Sequence, residues 1–272
     1  MLTKLLKYDL RGTGRILVPV WVGSTALTVL AAIMSSFSHS FQWDDRHPLS
    51  ILTDLFGFTA ALCMVALLLV CVFLCARRFY DLLGDAGYVY FTLPVKPWQH
   101  IASRLLNALV WTVGTLLVLV LQVLVLQMVL MSGSMNGSVI FSMDFNPGTA
   151  IGWRALYGTE LVLLMLESFA VGYLVLYLCM AIGAQWLQHR LLASVVTYFV
   201  LSFAGQVLMM ATIGLTFRHL TKTVDAVNTV FQQNPLSTIA AILGGILLIL
   251  AAIGAILWAV TQYFISKKLN LG

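Results

Sequence analysis

Charge is what this sequence lacks most. Of its 272 residues only 9% are Asp, Glu, Lys or Arg, against about 25% in a soluble globular domain. A chain that is 61% hydrophobic would have to expose more apolar surface than water tolerates. That excludes a soluble enzyme, a disordered protein and a secreted disulfide scaffold. Cysteine is sparse as well. Cys63, Cys71, Cys75 and Cys179 all lie inside apolar runs, where a cysteine behaves as a small hydrophobe and forms no disulfide framework. Cys71 and Cys75 share a helical face, but no His or acid is near enough in sequence to complete a metal site. Catalytic and nucleotide motifs are absent too. The chain has no G-x-x-x-x-G-K-[ST] phosphate loop, no H-E-x-x-H, no G-x-S-x-G and no C-x-x-C, so neither nucleotide hydrolysis nor a known intramembrane chemistry has its residues here. The five histidines, His39, His47, His100, His189 and His219, are scattered over connections and run ends, without metal-ligand spacing or a nucleophile partner.

What is present is long apolar runs. A membrane-crossing helix needs about 20 of them in a row, and six stretches qualify: 16–36, 55–76, 105–131, 155–186, 191–217 and 237–264. None alternates with the two-residue period of a barrel strand. The expected fold class is all-α: a polytopic membrane protein with six transmembrane helices. The connections are too short to bury cores of their own, and no internal repeat is visible. The first apolar run exceeds the h-region of a cleavable signal. Residues 1–15 read as a separate interfacial elbow helix, with Leu2, Leu5, Leu6 and Leu10 on one face and Lys4, Lys7 and Arg11 on the other. Asp9 falls among the leucines. It reads either as an acid at the water edge or as one that contacts a basic group. The domain plan is thus an interfacial helix over 1–15 and a six-helix membrane bundle over 16–272.

Orientation follows from the basic residues. Lys4, Lys7, Arg11, Arg15, Arg77, Arg78, Lys96, Arg104, Arg190, Lys267 and Lys268 fall on one side of the six runs, and Arg46, Arg154, Arg218 and Lys222 on the other. The richer side is expected in the cytoplasm, together with both ends of the chain. The net charge of +5 reflects this asymmetry and calls for no nucleic acid partner.

Polar residues inside the runs are candidates for a substrate path. Glu160 and Glu167 are seven residues apart and stack on nearly one helical face. A mid-membrane carboxylate must face protein or water, or stay protonated. Gln122, Gln127 and Gln206 in other runs could supply hydrogen bonds. The path reading therefore takes in Glu160, Glu167, Gln122 and Gln206; the alternatives are inter-helix hydrogen bonding and a proton relay. In the sixth run Ala241 and Gly245, and Ala251 and Ala255, repeat small residues at four-residue spacing, which suits close helix packing. Residues 217–233 read as a short separate helix after the fifth run.

The connection over 77–104 is the most informative stretch. Gly84 and Gly87 punctuate it, and Pro94 and Pro97 stop it before the third run. Between them stand Tyr88, Val89, Tyr90, Phe91 and Leu93, an aromatic cluster with no domain to bury it. Such a cluster marks a contact surface or an interfacial anchor at headgroup level.

Here the sequence resembles the membrane subunits of bacterial ABC-2-type exporters. The likeness lies in Gly84-Asp85-Ala86-Gly87-Tyr88-Val89-Tyr90-Phe91-Thr92-Leu93-Pro94-Val95, similar to the family's D-E-G-Y-L-x-F-T-L-P-V stretch. It is joined by the Lys-Tyr-Asp-Leu-Arg run at 7–11, by Ile182-Gly183-Ala184-Gln185, and by the tail over 263–271. Ala86 stands where the family has Glu, which removes one negative charge. The resemblance implies a permease subunit in the bacterial cytoplasmic membrane, with both termini inside and with a coupling segment at 77–104. Asp85, Tyr88, Tyr90, Phe91 and Leu93 would dock a separate ABC ATPase subunit. No cofactor is expected on this chain; ATP and Mg would sit on that partner. A second permease subunit, identical or different, would complete the path. The chain itself would be no enzyme. The alternative function is a membrane subunit for sensing, or for immunity to, a membrane-active peptide without net transport.

Overall fold

The computed structural model describes residues 2–40, 48–83, 97–133, 151–186, 189–233 and 235–267. Among these, every regular element is an α-helix: α1 (Leu2–Ser40), α2 (Pro48–Leu83), α3 (Pro97–Gly133), α4 (Ile151–Gly183), α5 (Arg190–Gln233) and α6 (Pro235–Lys267). Each holds a stretch long and apolar enough to cross a membrane. The architecture is that of a polytopic helical membrane protein, the form in which every backbone group is satisfied without water.

Proline and glycine set the ends. Pro48, Pro97 and Pro235 open α2, α3 and α6, at the position where a missing N–H costs nothing and a fixed φ favours the first turn. Gly133 and Gly183 close α3 and α4, as glycine commonly does. Pro19 is different: it lies inside α1, where it removes one backbone hydrogen bond without ending the helix.

Residues 2–15 and 217–233 both join the span beside them without a break. Residues 2–15 are helical, but no break divides them from the first span; α1 runs unbroken for 39 residues, about 58 Å at 1.5 Å per residue. The leucine and lysine pattern sets which face of α1 is covered. Leu5, Leu6 and Leu10 are half-buried, while Lys7, Arg11 and Arg15 are exposed. That pattern does not bend the helix. Nor is Asp9 at a water edge: it is 6% exposed, one turn before the buried Thr13 and two before Leu17. Likewise 217–233 continue α5 directly, making a helix of 44 residues. No proline or glycine stands between Gly214 and Gln233 to interrupt it.

The chain divides into two compact units. The first comprises Met1–Arg77 and Leu106–Asp144, the second Arg78–Leu105 and Phe145–Gly272.

In the first unit α1 and α3 lie side by side. Asn107 Nδ2 donates to Thr13 Oγ1 at 3.2 Å, and Gln122 Nε2 donates to Ser24 Oγ at 2.8 Å. Between these rungs the Trp21 and Trp111 rings meet at 5.3 Å between centroids. Each ring is seated over a glycine of the opposite helix. A Cβ on Gly14 would come within 2.7 Å of Trp111, and one on Gly114 within 2.6 Å of Trp21. The partners rise together along both chains, so α1 and α3 are parallel. On α2, Cys71 lies beside Thr112 and Thr115 of α3, which sets α2 against α3 as well.

In the second unit α4 packs along α6 and, over less of its length, along α5. Gly254 of α6 leaves room for Val171 of α4, 3.6 Å from where its Cβ would stand. The link from α4 to α5 is tight. The N–H of Ala184 bonds Met180 O at 2.9 Å, and that of Trp186 bonds Gly183 O at 3.1 Å. A Cβ at Gly183 would lie 2.6 Å from Ser194 N and 2.7 Å from Ser194 Cα, so only glycine lets α5 start this close.

Candidate functional site

The five docking candidates, Asp85, Tyr88, Tyr90, Phe91 and Leu93, lie outside the described residues. Their roots do not. In the second unit the last turn of α2 supplies Phe79, Leu82 and Leu83, and the first turns of α3 supply His100, Ile101, Ser103 and Arg104; all are buried. From α4 come the buried Tyr173, Leu174, Tyr177 and Leu178. Phe79 and Tyr177 stack nearly parallel, with centroids 3.9 Å apart and planes at 11°. Both rings are fully enclosed. The Tyr177 hydroxyl donates to the Arg104 carbonyl at 3.3 Å, and Tyr173 sits 6.2 Å from Tyr177. One α4 side chain therefore grips both ends of the connection, α2 through ring packing and α3 through its main chain.

His100 and Arg104 are one turn apart on α3 and are 1% and 2% exposed. Such groups are almost never fully buried unless paired, and each has interactions inside the structure. Their burial makes the root of α3 an ordered, protein-lined element. Ser103, fully buried, turns its hydroxyl back to His100 O at 3.0 Å.

The path candidates are placed differently from one another. Glu160 and Glu167 are half-buried on α4, and Oε2 of each is enclosed without a hydrogen-bond partner. Gln206 on α5 is exposed, as is every neighbour from 203 to 212. Gln122 is 1% exposed and gives its amide to Ser24, so it serves the α1–α3 seam of the first unit. Among the described residues, no group of three or more His, Cys, Asp or Glu comes together as a metal site.

Sequence reading missed Tyr177, Phe79 and Arg104. The signal available was thin: Tyr173 and Tyr177 recur one turn apart near the end of an apolar run, a spacing that fits packing against any neighbour. Comparison of the chain with family models, with curated proteins and with solved structures gives no match.

Proposed function

We propose that this chain is the permease subunit of an ATP-driven exporter of the ABC-2 type, set in a bacterial cytoplasmic membrane with both termini inside. ATP and Mg bind a separate ATPase chain, and a second permease subunit completes the path. The observation that carries this reading is the rooted connection. In sequence the aromatic stretch from Tyr88 to Leu93 falls between two helix ends that are buried and joined to α4 through Tyr177. A segment that receives force from a partner needs such a base. The likeness of residues 84–95 to the coupling stretch of these permeases supports an ATPase partner, and the lack of a phosphate loop is in keeping with nucleotide chemistry on that partner.

Within that reading, Glu160 and Glu167 are the acids closest to a path. Both project from α4 at a seven-residue spacing, and both hold an oxygen out of water.

The test is retention of the ATPase. Truncating a buried interface aromatic costs about 2 kcal/mol or more, so Tyr88→Ala with Phe91→Ala should weaken docking roughly a thousandfold. The double variant should insert normally yet lose the ATPase on affinity purification. Retention at wild-type stoichiometry moves the docking site to another loop, first of all to 188–190. If the ATPase docks but no cargo stimulates its turnover in vesicles, the sensing or immunity reading takes over.

A further inference from the structure

The Phe79–Tyr177 stack has a geometry that packing must impose. Aromatic pairs favour offset or edge-on arrangements with centroids about 4.5–7 Å apart. Here the centroids are 3.9 Å apart and the planes within 11°, a face-to-face contact with both rings fully buried. The hydroxyl end of the same tyrosine is bound to a backbone carbonyl, Arg104 O. No rotamer change on α3 can release a main-chain acceptor. Tyr177 is thus held at its face by α2 and at its tip by α3, and interiors packed in this way shift as units between discrete arrangements.

Tyr177 also lies on the helix that carries the two enclosed acids. Glu167 and Glu160 precede it by 10 and 17 positions on α4, roughly 15 and 25 Å along the axis. α4 packs along α6, with Val171 against the space at Gly254. A displacement at the roots of the connection is therefore delivered to α4, and α4 is braced against α6.

We propose that Tyr177 is the positioning residue that ties the end of α2 and the start of α3 to α4, so that a displacement of these two helix ends is delivered to α4. This rests on the permease reading for the source of the movement; the tie itself does not.

Two measurements separate the parts. The first is a double-mutant cycle on Phe79→Leu and Tyr177→Leu, read as thermal unfolding of the purified chain in detergent. Residues in direct contact give non-additive losses, so the double variant should unfold close to the worse single one. Additive losses overturn the tie. The second uses a spin label on Gly172→Cys in a cysteine-free background, since nothing lies within 4 Å of a Cβ at that position. With the co-purified ATPase present, ATP and Mg should change the label's spectrum. Tyr177→Leu should keep the ATPase and its hydrolysis but lose most of that change, and Tyr177→Phe, which retains the stack, should keep at least half of it. Should Tyr177→Leu fail to fold, Phe79→Met preserves the apolar volume, removes the flat ring and should lose the change likewise. An unaltered spectral change in either folded variant, or none in the wild type, overturns the proposal. A wild-type chain that brings down no ATPase overturns the permease reading, while the mutant cycle still decides the tie.

Discussion

The α1–α3 seam and the α5–α6 stretch are both built from apolar helices, yet they are held in opposite ways. In the most apolar window of α1, 28% of residues are buried; in that of α6, none are. The seam uses polar rungs, Thr13–Asn107 and Ser24–Gln122, and two tryptophans seated over glycines. α5 offers an exposed surface all round from 203 to 212. Lipid tails are as apolar as leucine, so hydrophobicity places a helix in the membrane but does not choose its neighbour. Close approach and inter-helix hydrogen bonds do that, and the seam has both.

Substitutions rank this difference. Trp111→Ala empties the space over Gly14 and should destabilise by up to about 3 kcal/mol, measured by SDS-driven unfolding of the purified chain. Gly114→Ala, which would put a Cβ against Trp21, should cost about 1–3 kcal/mol by overpacking. Gln122→Leu removes one rung and should cost about 0.6–1.7 kcal/mol. Gln206→Leu, on exposed α5, should stay within about 0.5 kcal/mol. A Gln206 effect as large as that of Gln122 would break the comparison and show that α5 is covered by something beyond this chain.

The six spans were legible because hydropathy encodes them directly, while the helix starts at Pro48, Pro97 and Pro235 lie ahead of the apolar runs, in polar turns that hydropathy does not report. The unbroken course of α1 was not legible. The charges at Lys7 and Arg11 dictate which face meets water, and they say nothing about whether the axis bends at Arg15. For Asp9, helical geometry put it among the leucines and the structure does bury it; what it would meet there depended on tertiary packing. The same limit hid Tyr177. Its partners, Phe79 and Arg104, lie 98 and 73 positions earlier, and a single sequence holds no trace of such pairings. The aromatic segment at 88–93 drew attention because its apolar residues stand where no span needs them, whereas the residues that root it look like ordinary span-end aromatics.

The rungs of the seam also bear on the order of events during synthesis. Thr13 Oγ1 donates to Asp9 O, Ser24 Oγ to Trp21 O and Thr28 Oγ1 to Ser24 O. Each of these three hydroxyls is satisfied by its own helix and needs no neighbour in order to sit in lipid. The amides that do need one, Asn107 and Gln122, emerge about ninety-five positions later, when α1 is already in place to accept them. A nascent α1 can thus wait alone in the bilayer without an unmet polar group among these hydroxyls, while α3 finds on it acceptors for its amides.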